Sequence, residues 1–239
     1  MCYNISSKSN KKILEERFEA ELSESDTINE YYHVSGFAHP KMPVIRSDNK
    51  SLIQSCTWGL IPFWVKDESQ AGEMMNITLN AKSETVFEKP SFKTSIKKNR
   101  CLILVDGFYE WKHVGKNKYP HFIHLKDQQP FALGGIYSDW VNKSTGEIIK
   151  TFSIITTEAN PLVAEIHNTK KRMPLILSRE NEKQWIDPEL NEVDVKNLMR
   201  PFGETEIAAY TVSKLVSRKD VNNNVPEAMQ HFSYPELAT

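Results

Sequence analysis

Arg100-Cys101-Leu102-Ile103-Leu104-Val105-Asp106-Gly107-Phe108-Tyr109-Glu110-Trp111-Lys112 is the stretch whose reading decides the fold. Cys101 to Val105 is a short, uninterrupted apolar run, the pattern of a strand buried on both faces. Asp106-Gly107 is a turn signal. Phe108 to Lys112 then resumes the apolar and aromatic character around a single carboxylate, Glu110. Downstream, Tyr119 to Leu125 reads as a returning strand after a turn at Gly115. Phe131 to Tyr137 and Ile148 to Thr156 flank the Asn142–Gly146 turn, and Met173 to Leu177 and Ile207 to Val212 are further strands. Upstream, residues 2–6 and Ser51 to Trp58 read the same way, and Tyr31 to Ile45 is extended and turn-rich. Strands at hairpin spacing predict a mainly antiparallel sheet.

The helical signals are short. Asn10 is placed to cap a helix from Lys11 to about Leu22, whose apolar stripe is Ile13, Leu14, Phe18 and Leu22. Leu79-Asn80-Ala81-Lys82-Ser83-Glu84 leads into a predicted helix through Phe87, and Ser91 to Lys98 forms another. Asn160-Pro161 opens a helix carrying Val163, Ile166 and His167. Ser178 opens one from Glu180 to Trp185, and Val193 to Met199 is the last. There is no internal repeat and no linker. The expectation is one α+β domain over residues 1–239, with a core over about 2–215 and a polar, irregular tail over 216–239.

Composition excludes several classes. At 239 residues, 39% hydrophobic and 26% charged, the chain is ordinary for a globular protein. No run approaches the roughly 18 apolar residues of a transmembrane helix, and the N-terminus lacks the apolar core of a secretory signal. Cys2, Cys56 and Cys101 are three in number and far apart, matching neither a zinc spacing nor a disulfide framework. No metal and no cofactor are expected, and a reducing cytoplasm is the expected compartment. The net charge of −1 excludes a generally basic nucleic-acid binder, but the charge is uneven. Glu15 to Glu30 holds seven acidic residues and one basic; Lys82 to Lys126 holds ten basic and four acidic. That fits either a groove for a local anionic ligand or a solvated lysine-rich face.

Four residues could carry chemistry. Cys2 follows Met1 directly. Removal of Met1 would leave a free α-amine and a thiol on adjacent carbons, a 1,2-aminothiol. An unperturbed α-amine titrates at about 7.7–8.0, so roughly a tenth to a fifth of it is neutral at pH 7. It can condense with an aldehyde to a Schiff base, and the thiol can then close a thiazolidine ring. An internal cysteine cannot, because its nitrogen is an amide. Glu110, among aromatic residues after a buried strand, has either a raised pKa suited to a general acid or a solvent-facing strand position. His167, just before the basic run Lys170-Lys171-Arg172, suits proton transfer, or is structural. Asn80 can orient an amine and a thiol, or cap a helix.

In combination these residues resemble the SRAP family, the SOS response-associated peptidase-like proteins. The resemblance runs from Cys2 to about Val212. It rests on Met1-Cys2, Trp58-Gly59-Leu60-Ile61-Pro62, Asn80-Ala81-Lys82-Ser83-Glu84, Asp106-Gly107-Phe108-Tyr109-Glu110-Trp111, His167 with Arg172-Met173-Pro174, and Val212-Ser213. The resemblance implies an α+β domain of curved, barrel-like antiparallel sheets with peripheral helices. It implies binding of single-stranded DNA at abasic sites in a basic channel, with a covalent link from the N-terminal cysteine to the ring-opened sugar that shields the lesion. The implied catalytic residues are Cys2, Asn80, Glu110 and His167. The implied DNA-facing residues are Asn4, Trp64, Lys82, Trp111, Lys170, Lys171 and Arg172, in a chain expected to be monomeric and free of membranes. Progress of the Schiff base to β-elimination would make the same site a lyase.

The chain departs from the family pattern in three places. Tyr3-Asn4 stands where Gly-Arg is usual, so an arginine is missing at position 4. Lys82 stands for an arginine, keeping charge without bidentate phosphate contact. Thr169, Lys170 and Lys171 lengthen the usual His-Asp-Arg-Met-Pro spacing; the lysines could supply lost phosphate contacts. Two rivals stay open: a cysteine peptidase in which Cys2 attacks an amide with His167 as base, if only to process its own N-terminus, and a non-covalent single-stranded DNA-binding module.

Overall fold

A computed structural model describes residues 2–237. The strands are β1 (Asn4–Ser7), β2 (Glu21–Leu22), β3 (Tyr31–Ser35), β4 (Lys41–Arg46), β5 (Asn49–Trp58), β6 (Asn80–Lys82), β7 (Arg100–Val105), β8 (Gly107–Val114), β9 (Asn117–Leu125), β10 (Phe131–Val141), β11 (Ile148–Glu158), β12 (Arg172–Pro174) and β13 (Ile207–Thr211). The helices are α1 (Lys11–Phe18), α2 (Glu68–Ile77), α3 (Ser95–Lys98), α4 (Pro161–Ile166), α5 (Arg179–Trp185) and α6 (Glu192–Leu198). This is an α+β fold of two sheets. One runs β13-β9-β8-β1-β3 and is open. In the other, β11, β10, β7, β4 and β5 follow in order, and a parallel pairing of Thr57 with Thr151 and Trp58 with Phe152 joins β5 back to β11. That contact closes a barrel and removes its edges.

The apolar run of β7 earns its burial on both faces. Cys101, Ile103 and Val105 fill the barrel interior with Val44, Cys56, Trp58, Leu133 and Phe152. The alternate residues, Leu102 and Leu104, pack outward against Trp185, Ile186 and Val195 of the helical layer. Period-two geometry thus divides one strand between two cores. Arg100, at its head, is 0% exposed. Its guanidinium donates to the carbonyls of Ile96, Lys97, Trp185 and Asp187, stapling α3 and the end of α5 to the barrel.

Asp106-Gly107 does not make the expected turn within one sheet; it carries the chain from the barrel to the open sheet. Asp106 Oδ2 accepts from the amides of Lys8 and Ser9, and its Oδ1 from the Ser9 hydroxyl. At Gly107 a Cβ would lie 2.3 Å from Phe122 Cζ and 2.7 Å from the Ile123 carbonyl oxygen. The neighbouring strand β9 of the same open sheet approaches too closely there for any side chain.

Other expectations change for local reasons. Asn10 caps α1 through the Ile13 amide, but the helix stops at Phe18 because Glu19 turns left-handed at φ 53°. The chain then pairs with β5 as β2. Asn80 stands on a strand rather than at a helix start, because β6 pairs in parallel with Ile154–Thr156 of β11. Pro43 is tolerated inside β4 because β7 pairing begins only at Val44. The tail is polar in composition yet docked: Val216 and Ala228 are buried, and the Tyr234 hydroxyl donates to the Val212 carbonyl at 2.8 Å. No helix among the described residues is long and apolar enough to cross a membrane.

Candidate active site

β1 threads between β3 and β8, with Ile5 opposite Val34 on one side and Phe108 on the other. Strand β1 is therefore held inside the open sheet instead of fraying at an edge. Cys2, just before β1, is 0% exposed. Asn80 reaches it from the barrel: its Nδ2 donates to the Cys2 carbonyl at 2.8 Å. A parallel strand of the barrel and a central strand of the open sheet meet at this bond. Asn80 Oδ1 is buried with no hydrogen-bond partner among the described residues.

Glu110 and His167 complete the cluster. Glu110 lies on β8 in register with His121 and is buried. Burial raises its carboxyl pKa to about 8, so it carries its proton at neutral pH. His167 follows α4 and its amide donates to the Val163 carbonyl, closing the helix. Its Nδ1 lies 2.8 Å from the Arg172 carbonyl oxygen and 3.5 Å from Glu110 Oε1. A carbonyl only accepts, so Nδ1 is the protonated nitrogen and Nε2 the basic one. Burial lowers the His167 pKa to about 4, leaving the imidazole neutral. Burial pushes the Cys2 thiol well above its ordinary range. The resting site thus holds a protonated acid, a neutral base and an un-ionised thiol.

The lengthened segment after His167 folds into a closed turn. Lys171 adopts φ 49°, its amide donates to the His167 carbonyl at 2.8 Å, and its own carbonyl accepts from Ala159. Asn168 makes two hydrogen bonds to the main chain of His113, at 3.1 and 2.8 Å, tying the turn to β8. The extra residues are absorbed, and the Arg172 carbonyl still returns to His167.

Glu110 and His167 open onto a cleft of about 610 Å³. Asn4, Trp111 and Lys170 line it as well. Asn4 Oδ1 lies 3.2 Å from the Nε2 of buried His33. Trp111 is half-buried, packs beside Tyr109 and Val216, and donates its indole N–H to Ser217 Oγ at 2.9 Å. The other expected DNA-facing residues do not line this cleft. Lys82 and Lys171 are exposed elsewhere, and Trp64 sits in the exposed loop after β5. The Arg172 guanidinium pairs with Glu84 and donates to the Thr156 carbonyl at 2.6 Å. Its main-chain carbonyl is what serves the site.

Sequence reasoning missed His33, Lys118 and the segment Val216–Lys219 with Asn223, which also line the cleft. The run Asn222-Asn223-Asn224 was the available signal, since asparagine side chains commonly bond main-chain groups in loops. Asn224 Oδ1 accepts from the Tyr32 amide at 2.8 Å.

Known proteins resemble this chain in sequence and in fold. The chain is 38% identical over 225 residues to the abasic site processing protein YoqW of Bacillus subtilis, covering 87% of this chain and 96% of that one. It is 31% identical over 202 residues to the abasic site processing protein HMCES of Gallus gallus, covering 76% of this chain and 58% of that protein. A solved structure of a Bacteroides thetaiotaomicron protein superposes with a TM-score of 0.90 at 38% identity, covering 97% of this chain and 100% of that one. The family model for SOS response associated peptidases matches residues 1–219, and with relatives this similar over this length, the chain belongs to the SRAP family.

Proposed function

We propose that this protein processes abasic sites in single-stranded DNA by forming a covalent thiazolidine link through Cys2 after removal of Met1, which lies outside the described residues. The observation that carries the reading is convergence. Cys2, Asn80, Glu110 and His167 come from distant parts of the chain to one buried cluster opening on the cleft. The names of the relatives support the substrate class.

The chemistry follows from the protonation states. Protonated Glu110 donates to the sugar ring oxygen while neutral His167 accepts the hydroxyl proton at C1′, opening the ring to the aldehyde. The freed Cys2 amine attacks C1′ and water leaves, giving a protonated Schiff base. Asn80 Oδ1, buried and available as an acceptor, steadies that amine. The thiol then bonds to C1′ and passes its proton to the Glu110 carboxylate. One water is lost overall, and the ring nitrogen keeps one hydrogen. The peptidase reading draws less support. A thiolate–imidazolium pair needs a low thiol pKa and a high histidine pKa, and burial drives both the other way.

The test is incubation with an oligonucleotide carrying one abasic site, read by denaturing gel and intact mass. The expected adduct equals protein lacking Met1 plus oligonucleotide minus one water. Cys2→Ala and acylation of the α-amine should each abolish it. An adduct that survives Cys2→Ala overturns the mechanism. Salt-sensitive binding with no adduct identifies a non-covalent module.

A further inference from the structure

We infer that the C-terminal strap, Ser213–Asn224, forms part of a three-sided phosphate grip for the strand on either side of the reacting nucleotide; this rests on the nucleic-acid reading above. The strap leaves β13 and crosses the cleft mouth between two fixed points. On the β8 side, Ser217 Oγ accepts the Trp111 indole N–H at 2.9 Å. On the β3 side, Asn224 Oδ1 accepts the Tyr32 amide at 2.8 Å and its Nδ2 donates to the Glu30 carbonyl at 3.3 Å. Asn223 Nδ2 donates to the Arg218 carbonyl at 2.9 Å and shapes the span between them. Buried Val216 and Ala228 anchor the two flanks.

That span presents Lys219 to the cleft. Lys118, near the start of β9, and Lys170, in the turn after His167, face the same space. The neighbouring Arg218 is committed to Asp220, 2.5 Å away, so Lys219 is the cation the strap offers to the cleft. Three ammonium groups thus come from three separate elements. Among the described residues lining the cleft, Glu110 is the only carboxylate, and its raised pKa of about 8 leaves it neutral at pH 7. A chain of net charge −1 has concentrated positive charge around one opening. Low-dielectric walls on both sides focus that field on an anionic polymer. Asn4 is bonded to His33 and brings no charge. Among the described residues, Lys118, Lys170 and Lys219 supply the free cations of the cleft.

The experiment is fluorescence anisotropy with a labelled, undamaged oligothymidylate across a salt series, so that binding is read apart from any covalent step. Each of Lys118→Gln, Lys170→Gln and Lys219→Gln should weaken binding about fivefold at 0.1 M salt and flatten the log–log salt slope by about 0.7. Lys143→Gln, an exposed lysine outside the cleft, should do neither. Asn224→Ala frees the strap and should weaken binding in the native background but add nothing to Lys219→Gln, since the strap acts through that lysine. Cleft lysine variants with unchanged affinity and slope overturn the grip, as does an Asn224→Ala effect that persists fully beside Lys219→Gln. Crosslinking to an abasic oligonucleotide is scored in parallel. An adduct with no lysine dependence fails the grip alone; lysine-dependent binding with no adduct fails the covalent reading alone.

Discussion

The buried cluster and the rim of the cleft are held in different ways. Cys2 and His167 are each fixed by a main-chain oxygen: the Cys2 carbonyl takes Asn80 Nδ2, and His167 Nδ1 faces the Arg172 carbonyl. Asn80, Glu110 and His167 are all at least nine-tenths buried. On the rim, Lys118, Lys170 and Lys219 are exposed. A buried residue acts through position and a dehydrated pKa, and a small displacement ruins both. An exposed lysine acts through charge at a distance, so another lysine nearby can replace it. On the proposed reading, Asn4 at the rim can lack a charge while the cluster stays intact. On this division, changes in the cluster alter rate and leave affinity alone, and changes on the rim do the reverse.

The largest expected effect is Glu110→Gln. It removes the acid but keeps the shape, and should slow crosslinking by about 10²- to 10⁴-fold in single-turnover assays with undiminished binding of undamaged DNA. A parallel loss of affinity would break the comparison.

Next is Arg100, which belongs to neither region. Arg100→Met strands four carbonyls, two of them in fully buried hydrogen bonds, and should lower unfolding free energy by about 3 kcal/mol by denaturant titration. Residual folded protein should crosslink at the native rate.

The pH dependence sharpens the assignment. The rate advantage of the native protein over Glu110→Gln should fall as pH passes about 8, where the acid loses its proton. Taking the ratio cancels titration of the α-amine, which both proteins share. Stability follows by linkage. Folding raises the Glu110 pKa from an ordinary carboxyl value to about 8, so its stabilising contribution is full below the ordinary value and is lost as pH rises through about 8. His167 has the opposite sign: its pKa is lowered to about 4, so stability is lost as pH falls from its ordinary range through about 4. Glu110→Gln should therefore flatten the fall in Tm between pH 5 and pH 8, measured by calorimetry; an unchanged profile would mean the carboxyl is not buried in solution.

The smallest effect is Asn4→Arg. Restoring a cation should tighten binding about fivefold at 0.1 M salt, steepen the salt slope by about 0.7, and leave the crosslinking rate at saturation unchanged. A change in that rate would show that the Asn4–His33 pair belongs with the buried cluster.

The amino-acid sequence alone determined the buried strand Cys101–Val105, the hairpins after it, and the caps at Asn10, Asn160 and Ser178, because each depends on neighbours a few residues away. It also raised Cys2, Asn80, Glu110 and His167 as candidates, Asn80, Glu110 and His167 each with a structural alternative, and only the family resemblance combined them into one proposed site. What only the tertiary structure decided is long-range. Asp106-Gly107 is a passage between sheets because β7 and β8 find different partners. Asn80 is on a strand because β11 offers it an edge. Arg172 is spent on Glu84 and serves the site through its carbonyl. The polar tail becomes a wall of the cleft because its few apolar residues find Tyr109 and Phe122 on the open sheet. Local propensity and composition carry no information about which distant surface a segment will meet, and that meeting is what placed the strap over the site.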